Sequence, residues 1–318
     1  MNSKLTEITA KLNSAKCVAV FCHIHPDGDA IGSGLALYHA LKNKGKTVHF
    51  ACEDSVPEKF SFLAGVSEIK TELPDIEYDL LVSLDCADIT RLGAFAKRYS
   101  KFKETVNIDH HISNNGYAKY NYIVECPATC ELLTDVLTEA GFEITEDIAN
   151  ALMLGLVTDS GNFVHMDVTP KTFQTAAYLR GKGADCNKIY YEMFSRQPKQ
   201  RALLYGRVMG KIKFALEDKL TFIIISAKDM EETGSDKSLT EGFVDFPLTI
   251  DGVEVSAALM EAKKDRYKVS LRSKGKVNVN AVATSFGGGG HILASGCMIC
   301  GSLEDVIDKL TYAVYQNL

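Results

Sequence analysis

Apolar segments that end abruptly in aspartate or histidine recur through the first half of the chain. Residues 17–22, 78–84 and 104–108 are short and apolar, which predicts buried strands, whereas 146–157 predicts a helix. Strands that alternate with helices predict a doubly wound parallel sheet. Because the carboxyl ends of parallel strands lie along one edge, the polar clusters that follow these segments should converge there. These clusters occupy 23–29, 85–88, 109–111 and 159.

The residues expected at that edge combine imidazole nitrogen with carboxylate oxygen. They are His23, Asp27, Asp29, Asp85, His110 and Asp159. This mixture suits a transition metal such as manganese better than calcium or magnesium. Solvated loops are often acidic, but they do not usually carry histidine at every strand end. The pattern therefore predicts a metal site at the carboxyl edge of the sheet.

The chain length of 318 residues predicts two domains, because single cores rarely grow that large. In the second half, strands follow one another closely, at 211–216, 220–225, 253–260 and 267–271, and an amphipathic helix closes the chain over 302–317. We therefore expect an α/β protein with two domains and a linker. The doubly wound parallel-sheet domain covers 1–185, a helical linker covers 186–209, and a smaller α+β domain covers 210–318.

Two features of the second domain predict binding of an anion. In the segment 266–274 the even positions are mostly basic, and a strand would place them all on one face. The alternative is a solvated edge strand whose charges discourage pairing with another chain. The second feature is four glycines, 287–290, followed by His291. Backbone amides of such a loop can close on a phosphate, and the alternative is a flexible loop.

Composition excludes several classes of protein. A net charge of -6 with a pI near 5.8 argues against a protein that coats long nucleic acid. Nine cysteines, an odd number, and a start without a secretion signal favour reduced thiols in the cytoplasm. No apolar run approaches the roughly 20 residues that span a bilayer, so we expect no membrane association. The sequence leaves a homodimer open.

Five motifs resemble those of the DHH phosphoesterase superfamily. They are HIHPDGDAIGS at 23–33, DCAD at 85–88, DHH at 109–111, TDSG at 158–161 and GGGGHILASG at 287–296. The last is similar to the DHHA1 substrate-binding domain, which follows the catalytic domain in one branch. The order and spacing are closest to the NrnA-type branch. Its members degrade very short oligoribonucleotides and remove the 3′-phosphate from adenosine 3′,5′-bisphosphate, so the resemblance implies those activities.

The resemblance also implies a role for each motif residue. Two divalent ions, most simply Mn²⁺, would be held, one by His23, Asp27 and Asp85, the other by Asp29, Asp85, His110 and Asp159. The bridging Asp85 would set their spacing, and two ions about 3.5–4 Å apart neutralise a phosphate and activate water. Asp109 would orient its neighbours and His111 would donate a proton. The residues expected to bind substrate are Arg91, Arg272, Gly289, Gly290 and His291.

Several alternative functions share these motifs. A family II inorganic pyrophosphatase has the metal motifs, but its Ser-Arg-Lys signature is not found near the glycines here. A phosphodiesterase for linear or cyclic dinucleotides is a further alternative. A non-catalytic nucleotide sensor would be expected to lose a metal ligand, and all six are present. The single basic strand offers room for two to four phosphates, which predicts short oligonucleotides and a nucleoside bisphosphate as substrates.

Overall fold

A five-stranded parallel sheet forms the centre of the first of two units in this chain. In the computed structural model, which describes residues 2–318, the chain divides between Arg196 and Gln197. The strand order is β2-β1-β3-β4-β5, and every neighbouring pair is parallel. The strands are β1 (Cys17–Phe21), β2 (Thr47–Ala51), β3 (Leu80–Leu84), β4 (Thr105–Asp109) and β5 (Tyr120–Ile123).

Helices cover both faces of this sheet, as expected for a doubly wound fold. The helices of the first unit are α1 (Leu5–Ser14), α2 (Gly28–Asn43), α3 (Ala96–Lys101), α4 (Thr129–Glu139), α5 (Glu146–Asp159), α6 (Pro170–Gly181) and α7 (Cys186–Tyr190). Within β1, Val18 and Val20 pack into the larger core with α1, α2, α4 and α5. Ala19 and Phe21 point to the opposite face, where Phe95 and Tyr99 pack against them. Because successive side chains point to opposite faces of a strand, β1 contributes to the cores on both sides of the sheet.

A six-stranded mixed sheet forms the second unit, in the order β10-β11-β9-β8-β7-β6. Its strands are β6 (Lys213–Ala215), β7 (Leu220–Ile225), β8 (Val255–Lys263), β9 (Arg266–Ser273), β10 (Gly289–Gly290) and β11 (Ala294–Cys300), and its helices are α8 (Lys199–Met209), α9 (Ala227–Thr233), α10 (Val279–Thr284) and α11 (Leu303–Tyr315). Only β7 and β8 pair in parallel. Helices α10 and α11 pack on one face and α8 packs on the other.

The predicted α/β architecture is confirmed, and three local details differ from expectation. The stretch 57–64, whose residues predict a short helix, contains only a 3-10 turn, Glu58–Phe60. The edge strand β5 was not anticipated, because its residues show no long apolar run. The region expected as a linker, 186–209, divides between the units, with α7 in the first and α8 in the second. Across residues 2–318, no helix has the length and apolarity needed to cross a bilayer.

Candidate metal centre

The candidate centre lies at the carboxyl edge of the parallel sheet, next to the point where the strand order reverses. Strands β1 and β3 are neighbours there, although β2 lies between them in sequence. His23 follows β1, Asp85 follows β3, and Asp109 is the last residue of β4. A crevice opens at such a reversal because the connections on its two sides leave in opposite directions. Sheet topology therefore brings the motifs together.

Asp85 lies at the middle of the cluster, and its two carboxylate oxygens face different histidines. Oδ2 lies 3.5 Å from Nε2 of His23, and Oδ1 lies 3.5 Å from Nε2 of His110. The side chain is buried, and its backbone has a φ of 52°, a strained value for any residue with a side chain. Thr129 donates a hydrogen bond of 3.2 Å from Oγ1 to Oδ1 of Asp85. The carboxylate is thus fixed between two imidazoles.

On one side of Asp85, His23 and Asp27 complete a three-residue group. Asp27 is the N-cap of α2, where Oδ1 accepts from the amides of Asp29 and Ala30. Its other oxygen, Oδ2, lies 3.6 Å from Nε2 of His23. The His23 ring is oriented by Nδ1, which lies 2.7 Å from the carbonyl of Ile24. The other ring nitrogen, Nε2, faces the centre.

On the other side, Asp29, His110 and Asp159 form a second group. Asp29 is buried, and its two oxygens accept from the amides of Thr129, at 2.6 Å, and Cys130, at 2.9 Å. The N-terminus of α4 thus holds Asp29, as helix termini favour anions. Asp159 closes α5, with Oδ2 3.6 Å from Nε2 of His110, whose Nδ1 donates to the Cys126 carbonyl at 2.8 Å.

The spacing of these groups fits a shared cation. Distances of 3.5–3.6 Å between nitrogen and oxygen are too long for good hydrogen bonds. Ligand atoms bound to one divalent ion at about 2.0–2.2 Å lie roughly 3–3.5 Å apart. Two side chains on one side of Asp85 and three on the other, with the outer nitrogens of both histidines next to carbonyls, match the way proteins orient metal ligands. The donor set therefore fits divalent cations.

Crowding of charge around the centre shifts the pKa values of its ionisable groups. Burial opposes protonation of His23 and His110, but the surrounding carboxylates outweigh it and raise the pKa of each to about 10. Burial, together with the negative charge of Asp85, raises the pKa of Asp159 to about 7 and that of Asp29 well above its usual range. A bound cation would replace the protons that these groups hold.

Asp109 and His111 lie beside this cluster and are joined to each other. Nδ1 of His111 donates to Oδ1 of Asp109 at 2.8 Å, so Nε2 of the ring points away from Asp109. Asn114 donates to the other oxygen of Asp109 at 2.6 Å and to Oδ1 of Asn107 at 2.7 Å. Nδ1 of His111 also lies 3.7 Å from Asp85, but its shorter bond to Asp109 makes it a poor metal ligand.

Two further residues of the first unit flank the centre. The guanidinium of Arg91 lies 3.0 Å from Nδ1 of His23, and the Arg91 carbonyl accepts from the amide of Ile24. The structure thus places Arg91 next to the predicted metal ligands. His25 is 87% exposed and pairs with Asp54 at 2.9 Å. Its side chain does not belong to the three-residue groups found among the described residues.

The predicted substrate-binding residues of the second unit are placed on β9, β10 and the adjoining turn. Burial along β9 alternates as predicted, with Val269 and Leu271 in the core and Arg272 on the opposite face. Gly289 and Gly290 pair with β11 instead of forming an open loop, and exposed His291 begins the turn between the strands. The backbone of the glycine segment lies close against β11, which gives the glycines a packing role as well.

Sequence reasoning missed two residues that orient the predicted ligands. Thr129 touches Asp85 through its hydroxyl and Asp29 through its amide. Asn114 fixes Asp109. Thr129 is the first residue of α4, and a polar side chain at a helix start is the available sequence signal. Nothing in the local pattern around Asn114 distinguishes it from an ordinary turn residue.

Comparison with known proteins agrees with this geometry. Residues 17–156 match the DHH family N-terminal domain, and residues 217–317 match the DHHA1 domain. The DHH match begins at the first residue of β1 and ends within α5, so it contains five of the six predicted metal ligands and stops just before Asp159. A relative that is 30% identical aligns over 95% of this chain. The chain therefore belongs to the DHH family.

Two of the relatives share one enzyme description. The 30% identical relative, of which 90% is covered, is the bifunctional oligoribonuclease and PAP phosphatase NrnA of Thermus thermophilus. A probable enzyme of the same description from Streptococcus mutans is 29% identical, with 91% of each chain covered. Among solved structures, an exopolyphosphatase-related protein from Bacteroides fragilis superposes with a TM-score of 0.79 and 27% identity, covering 98% of this chain and 95% of the other.

Proposed function

We propose that this protein is a metal-dependent phosphoesterase that hydrolyses short oligoribonucleotides to mononucleotides. We further propose that it removes the 3′-phosphate of adenosine 3′,5′-bisphosphate. The names of the NrnA relatives, which match this chain over nearly its full length, support both activities. The observation that carries the proposal is Asp85, whose two oxygens face two different imidazoles 3.5 Å away. A carboxylate in that position can join two cation sites.

We assign one cation site to each side of Asp85 and propose that Asp85 contributes to both. One consists of His23, Asp27 and Asp85, and the other of Asp29, Asp85, His110 and Asp159. Bound there, divalent cations supply charge neutralisation at the phosphate and make water more acidic. Mn²⁺ is the proposed metal, because mixed imidazole and carboxylate ligands suit it. The protein holds each ligand in place through helix caps and carbonyl contacts.

His111 is the proposed proton donor. Its Nδ1 is engaged by Asp109, and Asp109 is engaged in turn by Asn114, so the ring keeps one orientation. That orientation leaves Nε2 available to donate to the leaving oxygen of the ester, when the ring is protonated. An alkoxide leaves a phosphorus centre more readily when a proton reaches it in the transition state. Asp109 therefore acts as a positioning residue and His111 as the acid.

Each unit offers basic groups that can bind a substrate phosphate. Arg91 lies beside His23 in the first unit. Arg272, His291 and the amides of Gly289 and Gly290 are the proposed contacts in the second. Charge-assisted hydrogen bonds of this kind are roughly twice as strong as neutral ones. The basic strand is short, which favours substrates of a few nucleotides over long RNA.

A panel of substrates assayed with Mn²⁺ tests the proposal. It contains a 5′-phosphorylated dinucleotide, a 24-residue RNA, adenosine 3′,5′-bisphosphate, pyrophosphate and a cyclic dinucleotide. We expect rapid release of mononucleotides from the dinucleotide, hydrolysis of the bisphosphate, and slow attack on the long RNA. Pyrophosphate should be a poor substrate, because it has no nucleoside for the second unit to hold. Equal rates on the two RNAs, or fastest turnover of pyrophosphate, would contradict this proposal.

A further inference from the structure

The carboxyl end of β2 is polar, yet it supplies none of the predicted metal ligands. This strand lies at the edge of the parallel sheet beside β1, and Cys52, Glu53 and Asp54 follow its last residue. Among residues 2–318, none of the three belongs to a three-residue group that could hold an ion. Each of them instead forms a hydrogen bond with a loop that follows β1 or β3.

Asp54 contacts the turn that separates two of the predicted ligands. Its Oδ2 accepts from the backbone amide of His25 at 2.7 Å and lies 2.9 Å from Nδ1 of the same residue. His25 stands midway between His23 and Asp27, which we assign to the first cation site. One carboxylate oxygen from the end of β2 therefore fixes both the backbone and the ring of the residue between them.

The backbone of His25 needs a restraint of this kind. Its φ of 54° is left-handed, which is uncommon for a residue with a side chain. Pro26 follows it, and a residue before proline favours extended backbone. A conformation that costs energy persists only where the surrounding structure enforces it. The hydrogen bond to Asp54 enforces it from outside the loop.

Cys52 and Glu53 extend these contacts to a second loop. The thiol of Cys52 donates to the carbonyl of His23 at 3.3 Å, so it contacts the same loop as Asp54 does. Oε2 of Glu53 accepts from the amide of Ala94 at 2.7 Å. Ala94 belongs to the 3-10 segment Ile89–Phe95, which follows β3. Three consecutive residues after β2 thus reach both of the loops that flank the first cation site.

The Glu53 carboxylate lies where those two loops meet. Gly93, in the 3-10 segment, has a left-handed φ of 58°, a conformation that favours glycine. A Cβ atom at this position would collide with Oε2 of Glu53 and would lie 2.9 Å from Cγ2 of Ile24. The amide of Ile24 donates to the carbonyl of Arg91 at 2.8 Å. Glu53 therefore packs against the turn that carries Arg91, a proposed phosphate ligand.

We propose that Asp54 and Glu53 are positioning residues for the metal centre. Asp54 holds His23 and Asp27 in place for the first cation. Glu53 holds Arg91 in place for a substrate phosphate. The inference rests on the proposed function, because it takes the roles of the ligands and of the arginine from it. Both carboxylates act through backbone turns, without touching the cation or the substrate.

Titration of the full chain with Mn²⁺, followed by calorimetry, tests the role of Asp54. Asp54→Ala should weaken the binding of one ion about tenfold or more, because residues behind a metal ligand typically contribute 10- to 100-fold to metal affinity. Asp54→Asn keeps an oxygen that can accept from the His25 amide, and it should restore most of the affinity. Asp75→Ala, at an exposed position before β3, removes the same charge and should bind Mn²⁺ as the parent does.

Three results would overturn this role of Asp54. They are parent-like affinity in Asp54→Ala, equal weakening in Asp54→Asn, and equal weakening in Asp75→Ala. Circular dichroism of the metal-free variants checks that each one is folded. If Asp54→Ala is not folded, Asp54→Ser takes its place, because the shorter side chain cannot bring its hydroxyl within hydrogen-bond distance of the His25 amide.

Substitution of Glu53 should give a different pattern. Glu53→Ala should raise KM for the dinucleotide severalfold and leave kcat and Mn²⁺ affinity unchanged, because Arg91 contributes to binding of the phosphate. Glu53→Gln keeps an acceptor for the Ala94 amide and should restore KM. In the metal-free protein, hydrogen exchange at the amide of Ile24, measured by NMR, should be faster in Glu53→Ala than in the parent. Unchanged KM and exchange, or loss of Mn²⁺ binding, would refute this role of Glu53.

Failure of this inference differs from failure of the proposed function. If the Mn²⁺-loaded parent hydrolyses dinucleotides while Asp54→Ala binds Mn²⁺ as tightly as the parent, only the positioning role is wrong. If Asp54→Ala loses affinity for one ion and Asp54→Asn restores it, but the parent hydrolyses no member of the substrate panel, the positioning role of Asp54 stands and the proposed function is wrong.

Discussion

The carboxyl edge of the parallel sheet and the basic face of β9 differ in how they hold their charged side chains. At the edge, Asp29 and Asp85 are buried, and backbone amides or other side chains fix each of them. On the face of β9, Lys268 is exposed and Arg272 is partly exposed, and solvent surrounds much of their charge. The first region is a set of buried side chains fixed by hydrogen bonds, and the second is a set of separate charges on a solvated surface.

This difference predicts how strongly the two regions respond to substitution. Buried charges that lie close together stabilise one another. Removing one therefore leaves the others unpaired in a medium of low polarity. Exposed charges are screened by water and salt, and each contributes nearly independently. Changes at the sheet edge should therefore impair metal binding and catalysis together. Changes on β9 should affect only the use of substrate.

The largest effect is expected from Asp85→Asn. An amide cannot supply two anionic oxygens to two cations, so the metal content should fall below two ions per chain. Activity should fall by more than the 10- to 100-fold that changes behind metal ligands typically cost. Metal analysis and steady-state assays measure both quantities. Asp88→Asn, in the same motif but capping a neighbouring turn, is the control and should keep metal and activity.

Metal binding should strengthen as the pH rises. The pKa of His23 and His110 is raised to about 10 and that of Asp159 to about 7, so these groups hold protons at neutral pH. A cation must displace those protons, and affinity therefore increases with pH, by up to about tenfold per pH unit for each proton released. The rise in melting temperature caused by Mn²⁺ at pH 5.5, 7.0 and 8.0 measures this dependence.

Asp159→Asn provides the control for that dependence. The amide does not titrate, so the slope of metal affinity against pH should be shallower in this variant between pH 5.5 and 8.0. An unchanged slope would mean that Asp159 does not exchange its proton for the cation.

Substitution of Arg272 or His291 should separate substrate binding from metal binding. Loss of a hydrogen bond to a phosphate costs about 1.5–3 kcal/mol, or roughly 10- to 150-fold in kcat/KM for the dinucleotide. The metal content of Arg272→Ala and His291→Ala should match that of the parent. Arg266→Ala, at the far end of β9, is the control and should leave both kcat/KM and the metal content nearly unchanged. Loss of metal from His291→Ala would place that residue with the ligands instead.

The smallest effect is expected from Thr129→Val. The variant keeps the shape of the side chain but removes the hydroxyl that donates to Asp85. Metal affinity should fall about tenfold, because groups behind a ligand orient it and tune its charge. Thr129→Ser retains the hydroxyl and should restore the affinity, as measured by metal titration. If valine and serine behave alike, the hydroxyl has no role in positioning Asp85.

The sequence predicted the sheet edge better than its supporting contacts. Three strand ends and the end of one helix could be located from apolar runs, and topology alone then brings their side chains together. The hydroxyl of Thr129, 44 residues away from Asp85, could not be inferred because its position depends on how α4 packs. Likewise, the segment 237–242 is held in place by Arg201, which lies on a helix earlier in the chain.

The sequence by itself determined the α/β class, the alternation of faces along β9 and the set of residues at the sheet edge. These follow from local periodicity and from the rule that parallel strands end on the same side. Only the tertiary structure decided that Asp85 lies between two histidines and that the N-terminus of α4 holds Asp29. Such contacts join distant segments, and their distances depend on packing that no local pattern records.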